Sequence, residues 1–406
     1  MLRFASSPTH DMNIGDLRVA IYNYIVAKQR SEDLIVRIED TNKDKNVEGK
    51  DQEILDLLAL FGIEYSQIIY QSESVRFHTA MALQLMHEKK AFSCFCSDNW
   101  IDKKREEAKQ DNNPYMYDDA CRNLPDELVI DNMSPFCIRI KKPDDSKDLD
   151  SFVIMSQEKK PMYDFSCAVD DMLNDISIVI CDEDKAKSTS KQELVRSSLS
   201  YDKKIEYVYL PTIDDTTSIK SLLEDGFLPA AIINYIVNIG RKESRAILSM
   251  NEAIELFDIS KLSNAPVSFD ISMLRDINKE HLKALDAKEL SRYVGFADEE
   301  IGKLARVYLE EVSTTKELKS KIEPIFATKS IPGELKASAD ILSKTIKNAP
   351  YFKEYGDFEK YIVNESALKG ESLSKPLRVL LTGNENGPDI SVIYEYIKNY
   401  IGEIVK

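Results

Sequence analysis

The sequence predicts an α/β fold, in which a parallel sheet with crossover helices is followed by an all-helical region. Apolar strand patterns at Leu2–Ala5 and Asp33–Ile38 alternate with helical spacing from Gly15 and from about Asp51 to Phe61. Such alternation is typical of parallel sheets. After Pro229 the apolar periodicity is helical almost throughout, which predicts a helical second half ending in a bundle.

Each element has its own local signal. The first strand runs into the turn-like Ser6–Thr9, and the polar stretch Glu39–Asn46 bounds the second strand. Further along, apolar strand patterns at Ser151–Met155 and Ile176–Cys181 are expected to resume the sheet. Helical patterns then follow in order at Ala231–Ile239, Ala253–Phe257 and Ile301–Leu309.

Composition narrows the class of protein. The 406 residues carry 54 Lys+Arg against 70 Asp+Glu, a net charge of −16, and 43% are hydrophobic. This excludes a chain disordered throughout and suggests two to four structural units. The sequence has no apolar run of about 18 residues, no signal-peptide pattern at Met1–Ala5 and too few cysteines for a disulfide framework. We therefore expect a cytoplasmic protein without a membrane span, and the acidic balance argues against a surface coated with nucleic acid.

Eight short strings occur in a fixed order along most of the chain. They are Arg3–Thr9 (RFASSPT), Arg37–Thr41 (RIEDT), Tyr70–Glu73 (YQSE), Pro161–Phe165 with Asp170-Asp171, Tyr209–Pro211, Gly226–Ala230, Val267–Asp270 and Pro376–Gly383. Together they resemble the bacterial glutamyl-tRNA synthetases, which are class I aminoacyl-tRNA synthetases that activate glutamate with ATP and transfer it to tRNA-Glu.

The resemblance implies a Rossmann-like parallel-sheet domain with an inserted acceptor-stem domain, followed by an all-α stem-contact and anticodon-binding region. The insertion matches a change of character in the sequence, which becomes rich in Cys, Asp and Pro and contains the basic run Lys103–Arg105. The predicted segments are 1–91 and 151–235 for the two halves of the nucleotide-binding domain, 92–150 for the insertion, 236–300 for the stem-contact region and 301–406 for the anticodon-binding domain.

By resemblance, five residues match the family's glutamate pocket. Arg3, Ala5 and Ser7 match the loop that holds glutamate, Glu39 matches the carboxylate near its amino group, and Tyr163 lines the pocket. A guanidinium pairs well with a carboxylate, which suits this role. The alternative is that Arg3 and Glu39 form only a structural ion pair at the strand ends.

The first ATP signature of the family, His-(Ile/Val)-Gly-(His/Gly/Asn), departs here to Asn13-Ile14-Gly15-Asp16. Asn13 cannot become cationic, and Asp16 places a negative charge where phosphate is expected. At ~4 Å and an effective dielectric of about 20, such repulsion is on the order of 4 kcal/mol. We interpret Asp16 instead as a favourable charge at a helix N-terminus, and nearby His10 as a surface histidine.

The second signature, a lysine-rich mobile loop, is replaced by Thr212–Thr217, which has no lysine and contains Asp214-Asp215. Lysines there stabilise the leaving pyrophosphate, and Lys220 matches a helix position beyond the loop. A strand-rich family stretch is also absent where Lys141–Asp144 leads almost directly to Leu149–Phe152. ATP, a substrate by resemblance, is therefore expected to bind poorly.

A third departure is Cys181, which matches the family arginine that holds the side-chain carboxylate of glutamate. A thiol offers that carboxylate no charge, and losing a charge-assisted partner costs about 1.5–3 kcal/mol. The thiol is not expected to be a nucleophile either, since acidic neighbours at Asp182–Asp184 raise a thiol pKa.

Cys94, Cys96 and Cys121 resemble the zinc-binding insertion of some family members. The expected fourth ligand position holds Asn123, which is not a usual zinc ligand. The interpretation is therefore a relic rather than a zinc site.

Three hypotheses follow from these observations. The first is a degenerate paralogue that retains the fold and binding of tRNA or glutamate, with activation lost or strongly impaired. The second is a working glutamate–tRNA ligase with divergent motifs. The third is a non-catalytic module that binds tRNA, in which Arg378 is a candidate contact, or that carries a protein partner over the ATP cleft.

Overall fold

The protein is described by a computed structural model that covers residues 1–146, 149–213, 216–239, 247–262 and 265–405. Contacts divide the chain into two compact units, Met1–Thr216 with Ile254–Ser268 and Thr217–Ala253 with Phe269–Lys406. This division is coarser than the five segments predicted from the sequence, whose boundaries stay predictions. Within the described ranges, every helix is too short or too polar to cross a membrane.

A parallel sheet forms the centre of the first unit, as predicted. The strands described in this unit are β1 (Leu2–Ser6), β2 (Leu34–Ile38), β3 (Gln67–Tyr70), β4 (Ala91–Cys94), β5 (Cys137–Ile140), β6 (Val153–Met155), β7 (Ile178–Asp182) and β8 (Glu206–Leu210). Five of them pair in the order β3-β2-β1-β7-β8, all parallel. All five residues of β2 are buried, as is typical of a strand covered on both faces.

Helices connect these strands, and those predicted from Gly15 and from Asp51 are confirmed. The helices are α1 (Ile14–Arg30), α2 (Lys50–Leu60), α3 (Val75–His87), α4 (Asp98–Gln110), α5 (Asp126–Ile130), α6 (Tyr163–Leu173) and α7 (Ala186–Ser198), with 3-10 turns at Gln71–Ser74 and Glu183–Lys185. Helices between parallel strands are the crossover connections that such a sheet requires.

The prediction that Ser151–Met155 resumes the main sheet is wrong. Its strand, β6, pairs antiparallel with β5, which in turn pairs with β4 in a separate three-stranded sheet. A short apolar run indicates a strand but does not identify its partner, because both sheets bury the same kind of side chain. The inserted sheet therefore begins at Ala91 and extends to Met155.

The second unit is helical in its described residues, which confirms the all-α prediction. Its helices are α8 (Ile219–Glu224), α9 (Pro229–Asn238), α10 (Met250–Leu256, which spans the boundary), α11 (Ile271–Ala284), α12 (Ala287–Tyr293), α13 (Glu299–Val307), α14 (Thr315–Phe326), α15 (Lys336–Lys347), α16 (Tyr355–Ser366), α17 (Glu371–Thr382), α18 (Ile390–Ile397) and α19 (Ile401–Ile404). Gly302 permits the close packing of α13 on α12, because a Cβ there would lie 1.6 Å from the carbonyl oxygen of Ala287.

Candidate active site at the carboxyl ends of β1 and β7

A cavity of about 330 Å³ lies at the carboxyl ends of β1 and β7. These are neighbouring strands at the point where the strand order of the sheet reverses, the usual ligand-binding position in open parallel sheets. The cavity brings together every residue that the sequence assigned to the glutamate pocket, namely Arg3, Ala5, Ser7, Glu39, Tyr163 and Cys181.

A buried network of charges adjoins this cavity through Arg3 and Glu39, which line it. Arg3 donates from Nε to Asp171 Oδ1 at 2.7 Å and from Nη2 to Oδ2 at 3.2 Å. Arg37 donates to the same carboxylate at 2.5 Å and to Glu39 Oε1 at 3.0 Å. Arg3 and Glu39 therefore have separate partners rather than each other. Burial alone would raise the pKa of Asp171, but the charges and hydrogen bonds of the two arginines hold it below its ordinary value.

Arg37 and Asp171 bond to the cavity residues Glu39 and Arg3, and neither was assigned a role from the sequence. A signal for Arg37 was available, because it lies between Val36 and Ile38 in a strand that is buried throughout. A charged side chain at such a position requires a buried partner. Asp171 belongs to one of the eight strings, but no signal identified it as the partner of Arg3, which lies 168 residues away in the sequence.

The predicted nucleotide turn is closed by its own side chains. Asn13 caps α1: its Oδ1 accepts from the Asp16 backbone N–H at 3.0 Å, and Asp16 Oδ2 accepts from the Asn13 backbone N–H at 3.0 Å. His10 Nε2 lies 3.4 Å from the same Asp16 oxygen, and its side chain is 56% exposed. Asp16 therefore caps the helix, and His10 is more than half exposed, while both residues line the cavity. That this turn no longer binds phosphate stays a prediction.

Arg18 joins α1 to the ends of β7 and β8. Its buried Nη2 donates to Asp182 Oδ1 at 2.9 Å and to the Pro211 carbonyl at 2.6 Å. Burial raises the pKa of Asp182, and Arg18 opposes that rise. The predicted replacement for the second signature begins directly after Pro211, and its Asp214-Asp215 pair lies outside the described residues.

Cys181 adds no positive charge to the cavity. Burial raises the pKa of its thiol to about 11, with Asp182 and Asp184 adding to the rise and Arg3 opposing it. The thiol is therefore protonated and neutral at pH 7, as expected of a residue that is not an activated nucleophile.

The three cysteines of the inserted region meet around a phenol. Their sulfur atoms lie within 4.8 Å of one another, and Cys96 and Cys121 are 3.6 Å apart, close to the ~3.8 Å expected for two thiolates on one tetrahedral zinc. The hydroxyl of Tyr117 lies 3.3 Å from Cys94 Sγ and 3.5 Å from Cys96 Sγ. Burial raises the pKa of the Tyr117 phenol, and a protonated phenol is not a usual zinc ligand, so the interpretation of the three cysteines as a relic rather than a zinc site stays a prediction.

Two residues of the basic run Lys103–Arg105 have local partners. Lys104 pairs with Glu107 and Arg105 with Asp102 on α4, as expected for a solvated helix face. In the second unit, Arg378 donates to the Pro388 carbonyl at 2.9 Å and lines a cavity of about 370 Å³. A contact between Arg378 and tRNA stays a prediction.

A parallel sheet of this strand order, an insertion after its first half, a polar pocket at its switch point and a helical remainder are the features expected of a class I aminoacyl-tRNA synthetase. Residues 1–276 match the family model "tRNA synthetases class I (E and Q), catalytic domain". The chain belongs to this family, and within it to the glutamate–tRNA ligases.

Curated relatives support this placement over the full length. The chain is 59% identical to "Glutamate--tRNA ligase 2" of Sulfurimonas denitrificans and 44% identical to "Glutamate--tRNA ligase 1" of Nitratiruptor, covering 100% of both chains in each case. Each alignment spans 432 positions against the 406 residues here, so the relatives carry stretches without a counterpart in this chain. A crystal structure of a glutamate tRNA ligase from Elizabethkingia meningosepticum shares the fold, with a TM-score of 0.81 at 22% identity over 100% of this chain and 98% of that one.

Proposed function

We propose that this chain binds glutamate and tRNA as a member of the glutamate–tRNA ligase family, and that its ATP-dependent activation is lost or strongly impaired. The capping box at the start of α1 is the observation that carries this proposal. Asn13 and Asp16 satisfy each other's backbone N–H groups, which are two of the four that a helix N-terminus offers to phosphate.

The charge of this turn acts in the same direction. A phosphate at the first turn of α1 would meet the Asp16 carboxylate, and Arg18, the buried cation beneath it, is already bonded to Asp182 and Pro211. Phosphate and the Asp16 carboxylate repel each other because both are negative. The carboxylate stabilises the helix N-terminus only when no phosphate binds there. By contrast, the side chains assigned by resemblance to the glutamate pocket line the cavity together, which supports the binding of glutamate.

A working glutamate–tRNA ligase is the second candidate. Its support is the full-length identity of 59% to a relative of that name. In that case groups other than the two family signatures bind the triphosphate.

Glutamate-dependent exchange of pyrophosphate into ATP, measured in the presence of tRNA-Glu, separates the two candidates. The Sulfurimonas denitrificans relative serves as the positive control, and isothermal titration with glutamate checks the pocket in the same preparation. We expect glutamate binding without exchange. Exchange at the rate of the relative contradicts the proposal and supports the second candidate.

A further inference from the structure

Arg196 is a buried cation next to the cavity that the pocket described above does not use. Its side chain is on α7 and only 4% of the residue is exposed. Thr189 and Gln192 lie seven and four positions earlier on the same helix, and both line the cavity. Since positions at this spacing share a helix face, Arg196 belongs to the face of α7 that covers the pocket.

The contacts of Arg196 differ from those of the other arginines of the pocket. Its Nη2 donates to the hydroxyl oxygen of Tyr207 at 2.6 Å, and its guanidinium carbon lies 5.9 Å from the centre of that ring. Its Nη1 is buried without a hydrogen-bond partner in the described part of the chain. Arg3 and Arg37, by contrast, both bond to the carboxylate of Asp171.

A buried positive charge without a carboxylate is strongly unfavourable, so an anion that enters the site from outside is favoured there. Tyr207 is placed to transmit this charge, because it lines the cavity together with Arg3 and Cys181. Its oxygen accepts from Arg196, which leaves the O–H group to donate in another direction. A donor polarised by a cation makes the stronger, charge-assisted type of hydrogen bond to an anion.

We propose that the Arg196–Tyr207 pair recognises the side-chain carboxylate of the bound amino acid and replaces the cation that position 181 lacks. Tyr207 donates its O–H to a carboxylate oxygen, and Arg196 acts through Tyr207 as a positioning residue that supplies positive charge. The inference rests on the proposed function, because it requires the cavity to bind glutamate.

Tyr207→Phe tests the hydrogen bond while preserving the size of the ring. Titration calorimetry measures the affinity for glutamate and for norvaline, which has a similar side chain without terminal oxygens. We expect the preference for glutamate over norvaline to fall about tenfold, since a hydrogen bond to a charged group is lost. A structural defect would weaken both ligands equally. Tyr201→Phe is the matched control, because its hydroxyl bonds to exposed Asp175 at 3.1 Å outside the cavity.

Arg196→Lys and Arg196→Met separate charge from packing. We expect the lysine variant to retain the preference for glutamate over glutamine and the methionine variant to lose it, with circular dichroism and melting temperature confirming that both fold. An unchanged preference in Tyr207→Phe, or equal behaviour of the lysine and methionine variants, overturns the inference and leaves the proposed function standing. Absence of glutamate binding by the unmodified chain overturns both.

Discussion

The candidate active-site cavity has a predicted amino-acid end and a predicted nucleotide end, and the two satisfy their polar groups in different ways. At the amino-acid end, Arg3, Arg37 and Asp171 are buried and bonded across three separate elements. At the nucleotide end, Asn13 and Asp16 bond to each other within one helical turn. The first network is part of the core of the sheet, so it cannot change without a large cost to folding. The second is local, so its residues can exchange phosphate binding for helix capping at little cost.

The largest expected effect on the amino-acid end of the cavity is that of Asp171→Asn. The substitution keeps the shape but leaves buried Arg3 without a counter-charge and Arg37 with Glu39 alone, and breaking a buried pair in this way costs about 3–5 kcal/mol. The free energy of unfolding is measured from the first unfolding transition in urea, and we expect it to fall by that amount. Loss below about 1 kcal/mol would show that the network is no more demanding than the nucleotide turn.

A surface carboxylate and the pH dependence serve as controls for this prediction. Asp175→Asn removes the partner of Lys203 at a site where both side chains are mostly exposed, and we expect a change below about 1 kcal/mol. Because the pKa of Asp171 is lowered in the folded protein, its stabilising contribution is complete above its unfolded pKa and is lost as the pH falls through the folded pKa. The difference between the unmodified chain and Asp171→Asn is therefore expected to be constant near pH 7 and to shrink below about pH 4.

At the nucleotide end, Asp16→Asn tests whether charge excludes the triphosphate. The amide oxygen can still accept from the Asn13 backbone N–H, so the cap is retained while the negative charge is removed. The Asp16 side chain is 29% exposed, and solvent therefore weakens its repulsion below the value for a buried charge. We expect ATP affinity, measured by calorimetry, to rise on the order of tenfold, or about 1.4 kcal/mol.

Asp56→Asn on the exposed face of α2 removes the same charge away from the cavity, and we expect it to leave ATP affinity unchanged. An equal rise in both variants would indicate a general effect of the net charge of −16. No rise in Asp16→Asn would mean that geometry, rather than charge, closes this end of the cavity.

The sequence predicted the secondary-structure elements and which residues share a pocket. It did not predict which residues bond to those pocket residues. The spacing of apolar residues predicted the strands and helices, because the buried face of each element places its apolar residues at regular positions along the sequence. The sheet to which β6 belongs was predicted wrongly, because pairing depends on distant residues. For the same reason the sequence placed Arg3 at the pocket but did not identify Asp171 as its partner. It also grouped three cysteines but did not identify Tyr117 as their neighbour. Arg196 was missed because a basic residue on a polar helix is usually exposed.

The smallest expected effect is that of Asn13→Ala, which tests whether Asn13 serves only as a helix cap. Asn13→Ala removes the side-chain acceptor for the Asp16 backbone N–H, and loss of such a cap costs about 1 kcal/mol, whereas Asn13→Ser retains it. The matched reference is Thr314→Ala, which removes the cap of α14 in a capping box of the same type in the second unit. We expect equal losses of unfolding free energy at the two caps and no fall in ATP affinity for Asn13→Ala. Equal losses would identify the start of α1 as an ordinary helix cap. A weaker affinity for ATP in Asn13→Ala would instead show that this residue still contacts the nucleotide. The two ends of the cavity would then be more alike than their hydrogen bonds indicate.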